Sequence, residues 1–348
     1  IDATNVISLN VTGVSDAAGN AGVGISNSNN YTINTVRPTA GIVVTDTSLI
    51  VGETSLVTIA FSEAITGFDN ADLTIASGTL SAVSSADGGI TWTATLTPTA
   101  SISDATNVIT LQNDGVLNGA GNAGVGTTDS NNYAVDTVRP TVNTVVTDTS
   151  LLAGETSLVT ITFSEAVTGF SNADLLIANG TLTAVSSADG GVTWTATFTP
   201  TASITDATNV ITLDTTGVSD TVGNAGVGTT DSNNYAVDTV RPTVVVSLSD
   251  TSLVAGETSL VIMAFSEAVT GFDNADLTIA NGTLSAVATA DGGVTWTATF
   301  TPTAELIDAT NVINLDVTGV SDAAGNAGVG TSNSNNYTIN TVRPTAGI

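Results

Sequence analysis

Residues 192–199 of the chain alternate strictly, with Val192, Trp194, Ala196 and Phe198 in one set and Thr193, Thr195, Thr197 and Thr199 in the other. A period of two is the signature of a strand with one face buried. The same period runs through Ser157–Phe163, where Val159, Ile161 and Phe163 share a face. Further strands are predicted at roughly 141–147, 175–178, 181–187, 209–213 and 233–238. Asn179-Gly180 and Asp189-Gly190-Gly191 supply hairpin turns. Thr, Val and Ile dominate, and no stretch shows a helical period. Seven short strands in about 100 residues, divided by turn signals, predict a two-sheet sandwich of immunoglobulin type.

The pattern then repeats. Val-Arg-Pro-Thr occurs with its Arg at 37, 139, 241 and 343, and the three Trp stand at 92, 194 and 296, so every step is 102. That is the size of a domain and too long for a solenoid unit. Residues 1–42 match 307–348 at 39 of 42 positions, differing only at Ser8/Asn314, Asn10/Asp316 and Ile25/Thr331. The sequence therefore reads as an excerpt of a longer array. Boundaries at the Arg-Pro step give complete repeats 38–139, 140–241 and 242–343. Residues 1–37 read as the closing strands of a preceding repeat, and 344–348 as the start of another. The expected fold class is all-β: a tandem array of seven-stranded Ig-like sandwiches joined by short Pro-containing linkers.

Several passages resemble bacterial Ig-like repeats of large biofilm-associated and giant secreted adhesins. They are VTITFSEAVTGF at 159–170, ADL at 173–175, DAAGNA at 322–327 and the DTVRPT linker at 136–141. The resemblance covers the whole chain. It implies an extracellular stalk at the bacterial cell surface, often rigidified by calcium at domain junctions, serving adhesion and biofilm formation.

Composition narrows the chemistry. The 348 residues carry four Lys+Arg against 32 Asp+Glu, a net of −28, with no His and no Cys. All four basic residues are Arg. Triads of the Ser-His type, thiol nucleophiles, N/S zinc sites and lysine-based catalysis are excluded. Paired carboxylates alone do not make an enzyme of a sandwich repeated without a cleft, so no enzyme is expected. A surface this acidic makes nucleic acid and anionic membranes poor partners. The 41% hydrophobic content with 10% charge argues for a folded chain. No apolar run is long enough to span a membrane, and Ile1–Asn5 lacks the basic start of a secretory signal. The lack of cysteine suits a reducing compartment, or a secreted protein stabilised without disulfides.

Each complete repeat holds ten acids and one Arg, and nearly all the acids fall in predicted loops or at strand ends. Alternation of loops between the two poles of a sandwich places Glu165, Asp174 and Asp189 at the pole of the entering linker with Asp136. It places Asp206 at the opposite pole, beside the exiting linker with Asp238. At the next junction Asp206 and Asp238 should then approach Glu267, Asp276 and Asp291; Asp104 is the counterpart of Asp206 one repeat earlier. Carboxylates so gathered repel unless a cation sits among them, and Ca2+ takes six to eight oxygens. A calcium ion at each junction is the expectation, against the alternative of a solvated acidic surface that keeps neighbours soluble. No EF-hand pattern is present. The linker Arg has two readings: pairing with a junction carboxylate, or an exposed charge before a Pro that fixes an extended backbone.

Aromatics are 4% of the chain, and Trp194 and Tyr235 fall on inward faces, which favours core packing over sugar binding. The outward row Thr91, Thr93, Thr95, Thr97 and Thr99 resembles flat ice-binding arrays, though Thr is also a preferred exposed strand residue. Two functions remain. One is a passive extender, its partners being neighbouring repeats of the same chain. The other is a self-assembling extracellular filament or matrix protein, its partners being other copies. A sandwich plus linker would span roughly 35–45 Å at about 3.3 Å per strand residue.

Overall fold

The computed structural model describes residues 1–347. Its contacts divide the chain into two compact units. The first is Ile1–Pro140 together with Ser219–Ala225, and the second is Thr141–Val218 with Gly226 onward.

Repeat 2 shows how the sequence pattern becomes a sandwich. One sheet runs in the order Val142–Val146, Ser157–Phe163, Thr193–Pro200, Gly180–Leu182, with Ser186–Ser187 also on the Thr193–Pro200 strand. Register sets Val159 opposite Ala196 and Ile161 opposite Trp194, so the alternating apolar sets share a face. The other layer has two three-stranded groups. Leu175–Ile177, Ile211–Asp214 and Thr229–Asp231 form one, and Ser150–Leu152, Tyr235–Asp238 and Thr205–Asn209 the other. Ser150–Leu152 runs parallel to Tyr235–Asp238.

Between the layers lie Val159, Ile161, Phe198, Ile211, Leu213 and Tyr235, all with no measurable exposure. The Trp194 ring is half-buried and meets Phe170 edge-on at 5.2 Å. The Tyr235 hydroxyl donates to the Ala178 carbonyl at 2.5 Å. Burial, and then the Asp206 charge, push this phenol up to about 12. Repeats 1 and 3 carry equivalent cores.

The all-β, Ig-like expectation holds, with three differences in detail. The predicted strand at 181–187 is two short pieces, 180–182 and 186–187. The predicted 209–213 strand extends back to Thr205 and changes sheet at Val210, where the pairing slips between Asp206 and Asn209. Asn209 holds that bulge: its amide donates to the carbonyls of Asp206 and Tyr235, both at 3.0 Å. The strands at 150–152, 167–168, 219–220 and 229–231 are additional to the predicted set.

Residues 1–37 hold closing strands only. Asp2–Asn5 pairs with Tyr31–Ile33, and Ser8–Asn10 with Ile25–Asn27. Ile7 and Leu9 are more than half exposed, whereas their equivalents Ile313 and Leu315 are wholly buried. Among the described residues no helix is long and apolar enough to cross a membrane.

A candidate functional site at the repeat junctions

The sequence Ser-Asp-Ala-Ala-Gly-Asn-Ala at 321–327 folds into a self-bonded loop. Asp322 Oδ1 accepts from the backbone N–H of Gly325 at 2.7 Å and of Asn326 at 2.8 Å, and Oδ2 accepts from the Asn326 amide at 2.9 Å. Asp322 and Asn326 are 3% and 2% exposed. Burial pushes the Asp322 carboxyl up, but these donors outweigh it and leave it below the usual range. Gly325, at φ +112°, makes the turn that brings the amide over the carboxylate.

This loop meets the preceding repeat. Asn326 Oδ1 accepts from the Ala153 N–H at 2.8 Å. Linker Arg241 reaches the other way, its guanidinium donating to the carbonyls of Ala327 at 2.6 Å and Ala153 at 3.1 Å. The Ala153 peptide, in the turn after Ser150–Leu152, thus has both its N–H and its carbonyl bonded by the junction. A Cβ added at Gly325 would lie 3.3 Å from Leu152 Cδ1, so loop and turn are in van der Waals contact.

The first unit contains the same joint once, and a partial version of it nearer the start. Ser219–Ala225 sets Asn224 Oδ1 on the Val51 N–H at 2.8 Å and the Asn224 amide on the Asp136 carbonyl at 3.0 Å, while Arg139 donates to the Ala225 carbonyl. Nearer the start, the Asn122 amide donates to the Asn34 carbonyl at 3.0 Å, and Arg37 to that of Ala123 at 2.9 Å. There Asn118 takes the place of the loop aspartate. Its amide donates to the Val36 carbonyl at 2.9 Å and to Glu63 Oε1 at 3.2 Å.

The sequence-predicted ligands are distributed differently from the pole argument. Asp238 and Glu267 do come near each other, and both are joined by Asp322, which the pole argument omitted. Burial first, then Asp322 and Asp238, push the Glu267 carboxyl up. Glu267 Oε1 is buried with no hydrogen-bond donor. Asp238 also accepts from the Thr205 hydroxyl at 2.9 Å.

Asp276 is instead tied to its own short helix Asn274–Asp276, accepting from the Asp273 N–H at 2.9 Å in a capping box. Asp174 does the same for Ser171 at 2.8 Å. Asp291 is taken up by the turn beneath it, accepting from Thr295 N–H at 2.9 Å, and Asp189 from Thr193 N–H at 2.9 Å. Asp206 accepts from the Asn179 amide at 2.9 Å and the Thr208 N–H at 3.0 Å, inside its own repeat. Asp104 accepts from the Thr106 N–H at 3.0 Å, and Asp136 from the Val138 N–H at 3.2 Å. Glu165 is half-buried. Among the described residues no cluster of three or more carboxylates has the geometry to hold a metal ion.

Loop acids in this chain therefore serve first as acceptors for nearby N–H groups, a role that repeat-wide pole counting does not register. Arg139 and Arg241 are half-buried and donate to main-chain carbonyls, so they follow neither sequence reading, whereas Arg37 and Arg343 are exposed as the second reading has it. What was missed, Asp322 with Asn326, carried one available signal: Asp and Asn four apart around a Gly, in a loop recurring at the period.

A family profile for the bacterial Ig-like domain matches residues 34–135, 136–237 and 238–339. No curated protein sequence matches significantly. Among solved structures, an Escherichia coli adhesin, FdeC, is 13% identical over 86% of this chain and 96% of its own, with a TM-score of 0.29. The I9–I11 tandem of titin is 10% identical over 88% and 99%, also at 0.29. Tandem Ig repeats of Dlar are 14% identical over 58% and 97%, at 0.19. At these scores the structural likenesses add no weight to a functional reading.

Proposed function

The chain belongs to the bacterial Ig-like domain family, and on that premise we propose that it is an extender region of a bacterial surface adhesin. Its work is mechanical: to hold whatever it carries away from the cell on a series of folded repeats. The observation that supports this most is the joint between repeats 2 and 3. A preorganised loop of one repeat bonds the turn of the repeat before it, and the linker Arg bonds both. A flexible spacer would need none of these contacts, and a Gly/Ser-rich linker would serve it better. No chemistry beyond holding is called for, and we read the chain as non-enzymatic and extracellular.

We also propose calcium as an addition to this joint: Glu267, Asp238 and Asp322 are its nearest carboxylates, and since they do not form a ready-made cluster an ion would have to draw them in together with loop carbonyls to reach six to eight oxygens. The hydrogen bonds described above already join the repeats without it.

Stretching the chain between two handles tests the reading. Three cooperative steps are expected, each releasing on the order of 300–360 Å for a 102-residue repeat at about 3.3–3.6 Å per residue. Featureless extension without steps would overturn it. Repeating the pull with calcium and then with chelator decides the cation's part: a higher force for the repeat 3 step with calcium assigns it one, and equal forces assign it none.

A further inference from the structure

In repeat 2 an early strand lies beside the last one. Ser150–Leu152 runs parallel to Tyr235–Asp238, with Ser150 beside Ala236, Leu151 beside Val237 and Leu152 beside Asp238. The Thr149 carbonyl takes the Ala236 N–H at 2.9 Å. Asn233 grips Val146 twice, taking its N–H at 2.8 Å and donating to its carbonyl at 3.0 Å. Leu151 and Val237 are both buried. The chain just past the entering linker is thus bonded to the chain just before the exiting one. Tension through the array draws Ser150–Leu152 toward its N-terminal end and Tyr235–Asp238 toward its C-terminal end. Because the strands are parallel, these pulls oppose each other along the pair, and its evenly spaced bonds load together instead of opening one by one.

The joint to repeat 3 begins where this pair ends. Ala153 follows Leu152 directly; its N–H goes to Asn326 of repeat 3, and its carbonyl to Arg241 in the linker that follows Asp238. Arg241 also holds the Ala327 carbonyl of repeat 3. The Leu152 N–H is taken by the Glu155 carboxylate at 2.8 Å, which fixes the turn that presents Ala153. A slip of Ser150–Leu152 toward its N-terminal end would carry Ala153 away from both Asn326 and Arg241, so those bonds must give before the pair can shear. Repeat 1 is built alike. Ser48–Leu49 runs parallel to Ala134 and Val135, and the Val51 N–H just beyond is held by Asn224 of repeat 2 at 2.8 Å.

We infer that repeat 3 bolts repeat 2: its loop 321–327, together with linker Arg241, holds Ala153 against the slip through which repeat 2 opens under tension. The inference rests on the extender reading and deepens it, because it gives the joint a part in resisting force beyond joining neighbours. The dependence has a direction. When repeat 3 unfolds, Asn326 lets go of Ala153, and repeat 2 then opens at a lower load. Repeat 3's own parallel pair, Ser252–Val254 with Tyr337–Asn340, takes no part in the bonds of this joint, so the loss of repeat 2 does not weaken it in return. Under load, failure therefore passes from a later repeat to the one before it.

The chain has no cysteine, so two introduced ones fix where force enters and leaves. Thr141→Cys with Thr243→Cys, at exposed positions one period apart, loads repeat 2 alone between the handles of an optical trap. One discrete step is expected. At a held force the lifetime of repeat 2 should shorten roughly five- to thirtyfold in Arg241→Ala, the worth of one or two crossing bonds, and likewise in Asn326→Ala. Thr162→Cys with Thr197→Cys, on the paired strands Ser157–Phe163 and Thr193–Pro200, loads the same repeat without drawing on Ala153. There Arg241→Ala should leave the lifetime unchanged. Equal lifetimes for wild type and either variant between 141 and 243 overturn the inference and leave the extender reading standing. Equal shortening in both pulling geometries also overturns it, since the joint would then stabilise repeat 2 as a whole without resisting the slip. No discrete step between 141 and 243 overturns the extender reading and the inference with it.

Discussion

Ser77, Asn179 and Asn281 occupy the same left-handed position before a Gly, at φ 51°, 50° and 56°. Asn179 and Asn281 each donate their amide to a buried asparagine, Asn209 at 2.7 Å and Asn311 at 2.8 Å. Ser77 does not, and Asn107 Oδ1, in a residue 2% exposed, is left without a donor. Ser77→Asn should supply it and also suit the positive φ better. A gain of about 1–2 kcal/mol in repeat 1 is expected, from satisfying a buried acceptor, read by native-state hydrogen exchange in the strand Thr91–Pro98. No gain there would show the acceptor was already satisfied by solvent. Thr144 is the second internal odd one out. Its hydroxyl is buried without a partner, where the other repeats have Ile42 and Val246. Thr144→Val removes the desolvated hydroxyl at nearly constant volume and should stabilise repeat 2 by about 1–2 kcal/mol. A lower midpoint in urea would contradict it.

At the scale of elements, the turn before Thr193–Pro200 is organised by a single carboxylate. Asp189 accepts from the N–H groups of Thr193 and Val192 and from the Ser187 hydroxyl, and the Thr193 N–H foremost holds it down at about 2. Asp87 and Asp291 do the same in the other repeats. A carboxyl depressed in the folded state stabilises above its unfolded value near 3.9, and that contribution is lost as pH falls through about 2. Replacing all three by Asn should therefore lower the midpoint temperature at pH 7, with the deficit shrinking between about pH 4 and pH 2. A deficit independent of pH would mean that the turn needs the side chain's shape and not its charge. The alternation around Trp194 and the hairpin signal of Asp189-Gly190-Gly191 made these strands readable from sequence. The slip between Asp206 and Asn209 was not readable, because it depends on an Asn209 amide bonding carbonyls of its own bulge and of Tyr235, which are far apart in sequence. The junction escaped for the same reason. Every bond named between repeats 2 and 3 ends on a main-chain group of Ala153 or Ala327, and main-chain groups carry no sequence label. Acids were therefore assigned to one another when their nearer partners were N–H groups of their own loops.

For the molecule as a whole, the question is whether repeats fold as independent beads or as coupled neighbours. In tandem arrays stability is approximately a sum of repeat and interface contributions, and here the interface between repeats 2 and 3 is a small set of named bonds. Asn326 supplies the carbonyl for the Ala153 N–H, and Arg241 supplies donors for Ala153 and Ala327. Asn326→Ala also removes the amide that Asp322 holds, so it disturbs the loop itself; Arg241→Ala leaves the loop's internal bonds intact and cuts the bond across to Ala327 together with the one to Ala153. If the joint couples the repeats, Arg241→Ala should speed amide exchange at Ala153 by roughly five- to thirtyfold, the equivalent of about 1–2 kcal/mol, and leave exchange in the cores around Phe198 and Phe300 unchanged. Asn326→Ala should do the same at Ala153 and additionally loosen Asp322–Ala327. Equal exchange at Ala153 in wild type and both variants would mean that the repeats are held in series by the proline linker alone, and the mechanical reading of the junction would fall with it.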